Sequence, residues 1–135
     1  MKLNIKNETG RLKSVVLGQP KSIGPVPTLE ESYDAKSYYS IENGIYPKEE
    51  DIIAEMTAFE KVLKKYDVEV FRPNIIKDYN QVFARDVAFV IEDKMIISNV
   101  IKDRADEQEA YRKIFEKVEW RKIINLPETA HIEGG

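Results

Sequence analysis

The chain has 135 residues, with no cysteine and a single histidine. The lack of cysteine excludes disulfide bonds, thiolate metal ligands and a cysteine nucleophile within this chain. A formal net charge of −3 gives no support for binding to nucleic acid or to an anionic membrane surface.

Hydropathy and the N-terminal residues indicate where in the cell the protein is expected. No apolar segment approaches the roughly 20 residues that span a bilayer, and MKLNIKNETG at the start has no apolar signal core. We therefore expect a cytoplasmic protein with no membrane partner and no nucleic-acid partner. A zinc site would have to rest on carboxylates and His131, which zinc rarely accepts. We expect no metal and no other cofactor.

The first elements are a strand and a long loop. LKSVVL, residues 12–17, is a β-branched run followed by Gly18 and Pro20, which predicts a strand and a turn. Residues 20–47 show scattered Pro, Gly, Ser and Tyr and no clear period, so they predict an ordered loop with at most one helical turn. Such a loop is either a functional lid or an irregular surface excursion, and the sequence leaves both interpretations open.

A long amphipathic helix follows. Residues 48–66 carry apolar side chains at spacings of three and four, which predicts a helix with one buried face. Pro47 suits the first turn, and the acidic run 49–51 suits the positive end of the helix dipole. VEVF, residues 68–71, then predicts a strand that ends before Pro73.

The next predicted element is a β-hairpin. Its arms are residues 87–91 and 95–98, joined by a tight turn at 92–94. Both arms are almost entirely apolar, so we expect strands that are covered on both faces.

A second helix and a last strand complete the pattern. Residues 104–118 predict a helix, residues 120–126 a strand, and AHIEGG at 130–135 a short extended segment. This order of strands and helices predicts an α/β fold with two similar halves.

The entrance to the hairpin, NQVFARD, concentrates candidate functional side chains. Asn80, Phe83 and Asp86 recur every three residues, and an amide, an aromatic ring and a carboxylate could line the mouth of a pocket. A carboxylate there could accept two parallel N–H bonds from a planar cation. The spacing alone equally allows a structural ion pair between Arg85 and Asp86 that holds the hairpin.

The terminal HIEGG offers a second candidate. His131 and Glu133 alternate onto one face of an extended segment, and a histidine beside a carboxylate can do acid–base work. Gly134 and Gly135 would allow a sharp turn or the close approach of a ligand. A plain surface turn is the other interpretation.

Taken together, five segments resemble the N-terminal half of the guanidino-group-modifying enzymes. These are the amidinotransferases, arginine deiminases and dimethylarginine dimethylaminohydrolases. The segments are RLKSVVLGQP, YPKEEDIIAEMTAFEKVLKKYDVEVFRPN, NQVFARDVAFVIEDKMII, RADE and HIEGG. The helix-and-strand run and its preceding loop are most similar to the amidinotransferase branch. The resemblance implies a pentein fold, a fan of five ββαβ blades around a substrate channel. Residues 1–135 would form one incomplete unit with a little more than two blades.

The resemblance also implies a role for each candidate residue. Asp86 and Glu133 would be the two catalytic carboxylates that hold the planar guanidinium of an arginine-like substrate. Asn80 and Phe83 would line the substrate pocket, and Arg85 would orient Asp86.

The remaining implications concern what lies around the site. Gly134 and Gly135 would form the close turn beside the channel. The family's nucleophile is a cysteine on a later segment, and its general base is also on a later segment, so His131 does not match it. The chain would be the substrate-binding half of an enzyme for amidino transfer or guanidine hydrolysis. It would associate with itself or with a complementary chain. The alternatives are a non-catalytic module that binds an arginine-like ligand or a partner, and an inactive fragment.

Overall fold

The computed structural model describes residues 1–32, 34–100 and 102–130. Within these ranges the chain forms a mixed α/β fold of five strands and five helices, with short 3₁₀ turns at Lys102–Arg104 and Trp120–Lys122. The elements in chain order are β1 (Ser14–Val16), α1 (Ala35–Glu42), α2 (Glu49–Lys65), β2 (Glu69–Phe71), α3 (Ala84–Val87), β3 (Ala88–Ile91), β4 (Lys94–Ile97), α4 (Ala105–Ala110), α5 (Arg112–Phe115) and β5 (Ile123–Asn125). No helix in the described ranges is long and apolar enough to cross a membrane.

Helix α2 runs from Glu49 to Lys65, within one residue of the predicted bounds at each end. Its first turn contains Glu49, Glu50 and Asp51, and its last turn contains Lys64 and Lys65, so both ends carry the charge that the helix dipole favours. The sequence located this helix well because its signals are local.

Helix α1 lies inside the segment predicted as a loop. It has eight residues, so the expectation of at most one helical turn was too short. The side chain of Asp34 caps it by accepting bonds from the backbone N–H groups of Lys36 and Ser37, at 2.9 and 3.0 Å. None of its residues is buried, which is also true of α2, but α1 has only eight residues against 17 in α2, too few for an apolar period to stand out in the sequence.

The strands form two separate sheets. Strands β1 and β2 pair in parallel, with Val15 opposite Val70. The second sheet has the order β3-β4-β5, in which β3 and β4 are the predicted antiparallel hairpin and β5 lies parallel to β4.

Two apolar clusters form the core. The first contains Val87, Ala110, Tyr111 and Ile114, and the second contains Leu3, Met95 and Val118. Phe115 packs against both clusters and stacks on Tyr111 at 6.0 Å between ring centroids. Helices α4 and α5 thus join the hairpin to the β1–β2 side of the molecule.

The hairpin is less covered than predicted. Val87 and Met95 are buried, but Ile91 at the end of β3 is 53% exposed. The expectation of strands covered on both faces is therefore wrong for this end of the hairpin.

The predicted helix 104–118 is divided into α4 and α5 at Tyr111. The Ala110 carbonyl accepts a bond from the Asn74 N–H at 3.0 Å. The Ile114 N–H donates instead to the Tyr111 carbonyl at 2.8 Å, a bond typical of a 3₁₀ turn. A contact from a distant loop therefore interrupts a helix that the local pattern predicts as continuous.

The last strand also begins later than predicted. Residues Trp120–Lys122 form a 3₁₀ turn, and β5 starts at Ile123. Trp120 is 75% exposed, with the Arg121 guanidinium 5.3 Å from the centre of its ring.

Gly18 brings the end of β1 against the segment that leads to α3. A Cβ atom at this position would lie 2.1 Å from the Val82 carbonyl oxygen, so a larger residue would displace one of the two backbones. The adjacent Gln19 N–H donates to the Gln81 carbonyl at 2.9 Å. The Gln81 side chain, fully buried, binds Ile76 N–H and the Asn74 carbonyl at 2.7 and 3.0 Å. These contacts fix the position of residues 80–83.

Candidate functional site

Asp86 lies on α3, a single helical turn immediately before β3. Its backbone N–H donates to the Phe83 carbonyl at 3.2 Å, so the carboxylate is held one turn beyond the aromatic ring. About three quarters of the Asp86 side chain is buried. The chain therefore places a carboxylate at the base of the hairpin, away from bulk water.

Asp86 binds a guanidinium. Arg104 Nη1 donates to Asp86 Oδ2 at 2.8 Å. The same guanidinium binds Glu107 through two parallel bonds, Nε to Oε1 at 2.6 Å and Nη2 to Oε2 at 3.0 Å. Glu107 is fully buried. We call Asp86, Arg104 and Glu107 the Arg104 cluster.

The electrostatics of the Arg104 cluster keep its cation charged. The bonds to Glu107 raise the pKa of Arg104, burial opposes the rise, and the bond to Asp86 adds to it. Among the described residues, the Arg104 guanidinium is thus shared by two carboxylates, of which Glu107 is fully buried.

Tyr111 lies one helical turn after Glu107 and is almost fully buried. Burial raises the pKa of its phenol, and the nearby charge of Glu107 raises it further. Its hydroxyl has no hydrogen-bond partner within the part of the chain that the structure describes. Tyr111 therefore adds an uncharged wall beside the Arg104 cluster.

Arg85 does not lie against Asp86, where the sequence analysis expected it. Its side chain is 64% exposed, and its guanidinium lies 3.9 Å from Glu8 Oε1. Asp86 instead accepts a bond from Arg104, which is 18 residues away along the chain. On a single helical turn, consecutive residues point in different directions, so Arg85 and Asp86 do not face each other.

A cleft of about 800 Å³ opens beside this region. Its walls are formed by residues 23–26, α1, the first half of α2 and residues 80–83. Asn80 and Phe83 both line it, while Asp86 lies outside its lining, three residues beyond Phe83. The segment 20–47, which the sequence leaves open as a lid or a surface excursion, thus forms one wall of the cleft.

The remaining predicted site residues belong to the terminal HIEGG segment. His131, Glu133, Gly134 and Gly135 lie outside the described residues. The meeting of Glu133 with Asp86 therefore stays a prediction. Among the residues that the structure describes, no group of three or more His, Cys, Asp or Glu could hold a metal ion.

Sequence reasoning missed Arg104 and Glu107. They are the first and last residues of RADE, at the start of the predicted second helix. An arginine and a glutamate three residues apart can pair on one helix face. That spacing was a usable signal, but nothing local shows that Asp86 joins the pair.

Solved structures of other proteins share this arrangement of elements. SxtG, an amidinotransferase from Microseira wollei in the saxitoxin biosynthetic pathway, matches with a TM-score of 0.68 over 93% of this chain at 20% identity. The inosamine-phosphate amidinotransferase StrB1 from Streptomyces griseus matches with a TM-score of 0.61 over 93% of this chain at 15% identity. This chain is therefore similar in fold to a part of these two amidinotransferase structures.

A third structure is that of an AgrE mutant in a binary complex with L-arginine. It matches with a TM-score of 0.66 over 91% of this chain at 16% identity. This chain spans 43% of the length of SxtG and of StrB1, and 17% of that of AgrE. No protein-family model matches the sequence, and no curated protein matches it either.

These comparisons confirm the sequence resemblance at the level of the fold. The similarity in fold covers 93% of this chain in both amidinotransferase structures. The number of blades stays a prediction.

Proposed function

We propose that this chain supplies the guanidinium-binding part of an enzyme that acts on arginine-like guanidino compounds. The observation that carries the proposal is the largely buried carboxylate of Asp86, which binds the guanidinium of Arg104 at 2.8 Å within this chain. A substrate guanidinium is planar and offers N–H donors in a fixed fork, which a buried carboxylate can orient.

The cleft supports the same assignment. Asn80 and Phe83 belong to the segment that ends at Asp86, and both line the cleft. A ligand whose guanidinium reaches Asp86 could lay the rest of its length along these two side chains. Residues 20–47 would then act as a lid over the bound ligand.

The chemistry needs groups beyond the Arg104 cluster. We assign Glu133 as the second carboxylate on the guanidinium, and Gly134 and Gly135 as the turn that allows its close approach. In the proposed reaction a cysteine thiolate attacks the guanidino carbon and forms a C–S bond, while a C–N bond breaks and a protonated amine or ammonia leaves. This chain has no cysteine to supply that thiolate. Water would then complete a hydrolysis, and an amine would complete an amidino transfer. We favour transfer, since two of the structures with this fold are amidinotransferases.

The proposed complete protein is a five-bladed propeller, of which this chain forms a little more than two blades. Ile91 on β3 and Ile124 on β5, the two outer strands of the second sheet, are 53% and 43% exposed. Exposed apolar strand edges favour association, so we expect self-association or binding to a complementary chain. A sedimentation coefficient that stays that of a monomer at all concentrations would contradict this expectation.

A binding role without turnover is the second candidate. It is favoured by the absence of cysteine, because this chain alone cannot form the covalent intermediate. The intact mass of the native gene product distinguishes the two candidates. A mass about twice that of this chain, together with a late cysteine, supports the enzyme.

Titration calorimetry with L-arginine tests guanidinium binding. We expect Asp86→Ala to weaken the affinity by at least about tenfold, because the ligand loses a hydrogen bond between charged groups. Glu133→Ala should have a similar effect. The matched control is Asp93→Ala, which removes an aspartate of the same hairpin that is 49% exposed.

Two results would overturn the proposal. One is that the unmodified chain binds no L-arginine. The other is that Asp86→Ala and Asp93→Ala bind it with equal affinity.

A further inference from the structure

Arg104 donates more hydrogen bonds to Glu107 than to Asp86. Two of its nitrogens bind the two oxygens of Glu107, and only Nη1 reaches Asp86. Glu107 has no exposed surface, and neighbouring Ala110, Tyr111 and Ile114 form the first apolar cluster. The guanidinium is thus anchored to the core through a planar, two-bond contact.

The helix that carries this anchor is itself tied to the hairpin. Gln108 Nε2 donates to the Ser98 carbonyl at 2.7 Å, and the Ser98 N–H donates to the Val87 carbonyl at 3.0 Å. Val87 directly follows Asp86 and is fully buried. The start of α4 and the end of α3 are therefore held in one rigid frame.

From this geometry we infer that Arg104 is a positioning residue for Asp86. Glu107 fixes the plane of the Arg104 guanidinium, and Arg104 Nη1 fixes Asp86 Oδ2, so that the carboxylate is oriented before a ligand arrives. The inference rests on the proposed function, because the orientation serves a ligand guanidinium. Arg104 is not expected to contact the ligand.

A lysine could not take this role. Its ammonium is a single point of charge on a flexible stem, whereas the guanidinium is a planar fork that can hold two carboxylates at set angles. In Arg104→Lys the positive charge between Asp86 and Glu107 remains, but the fixed direction of the bond from Arg104 Nη1 to Asp86 Oδ2 is lost. A planar ligand cation should be affected by this loss more than an ammonium ligand, which accepts many directions of approach.

The experiment compares L-arginine with L-lysine as ligands. We expect the unmodified chain to prefer L-arginine and Arg104→Lys to reduce the ratio of the two affinities by roughly tenfold. The matched control is Arg72→Lys, because Arg72 also binds a carboxylate, that of Glu60, at 2.7 Å. That substitution should leave the affinity ratio unchanged even if it lowers the stability of the fold.

The outcomes separate the two proposals. If the unmodified chain binds L-arginine and Asp86→Ala abolishes binding, but Arg104→Lys keeps the original affinity ratio, the positioning role is wrong and the proposed function stands. If the unmodified chain binds no L-arginine, both are wrong.

If Arg104→Lys does not fold, Glu107→Gln provides the second variant, since it keeps Arg104 but weakens the bonds that Glu107 makes to it. An unchanged affinity ratio in Glu107→Gln also contradicts the inference.

Discussion

The chain contains two half-buried arginines, and their surroundings differ in a way that separates a structural contact from a candidate site. Arg72 binds one carboxylate: its Nε and Nη2 both reach Glu60 Oε2, at 2.9 and 2.7 Å. It also donates to the backbone carbonyls of Gly18 and Met56. Lys64 gives Glu60 a second cation at 2.6 Å. This cluster links α2 to the ends of β1 and β2.

The Arg104 cluster differs in its carboxylates. Around Arg72, two cations share the single carboxylate of Glu60, which is 24% exposed. Arg104 instead binds two carboxylates, and one of them is fully buried. Ionised groups that are buried together often belong to functional sites, although they also occur in structural networks. The comparison therefore makes the Arg104 cluster the stronger candidate of the two.

The largest expected effect is that of Glu107→Ala. Removal of the fully buried partner leaves the Arg104 guanidinium with Asp86 alone, and we expect the free energy of unfolding to fall by about 3–5 kcal/mol. Urea denaturation followed by circular dichroism measures it. Glu109→Ala, which removes a 69% exposed partner of Arg112 on the same helix, should stay within about 0.5 kcal/mol of the unmodified chain. Equal effects of the two substitutions would show that burial of Glu107 does not matter.

Arg72→Met should have an intermediate effect on stability and none on ligand binding. Glu60 keeps Lys64 as its partner, so the loss is mainly that of the bonds to the Gly18 carbonyl and to Glu60. We expect about 1–2 kcal/mol in urea denaturation and an unchanged affinity for L-arginine. A weakened affinity would contradict the division of roles between the two arginines. Arg112→Met, at a 64% exposed site, is the control for the loss of one surface charge.

The smallest expected effect is the pH dependence at Glu60. Bonds from Lys64 and from Arg72 lower the pKa of Glu60 below its ordinary value of 4.5. Because the folded pKa is the lower one, the stabilisation is complete above pH 4.5 and is lost as the pH falls through the folded pKa. The difference in unfolding free energy between the unmodified chain and Glu60→Gln should thus shrink as the pH falls below 4.5, by less than about 1 kcal/mol. A difference that grows on acidification would reverse the assignment.

Local signals explain which elements could be predicted. Helix α2 carries an apolar pattern of helical period and the β3–β4 hairpin two apolar runs around a turn, and both lie within one residue of their expected bounds. Helix α1 has only eight residues, too few for a clear period, and its length was underestimated.

The candidate site was only partly visible in the sequence. The segment containing Asn80, Phe83 and Asp86 stood out because its polar and aromatic residues precede a buried strand. The cation for Asp86 was sought in the neighbouring Arg85, since a sequence alone favours partners that are adjacent. Arg104 takes this position because the hairpin returns the chain to the start of α4.

By itself, the sequence determined the amphipathic helix α2, the hairpin and the resemblance to guanidino-modifying enzymes, because periodicity and short motifs depend only on residues close together in the chain. The tertiary structure alone decided that Asp86 meets Arg104 and that the Glu107 partner of Arg104 is fully buried. It also decided that a bond from Asn74 to Ala110 interrupts the second helix. Each of these contacts joins backbone or side-chain groups from different elements, and their distances follow from how those elements pack.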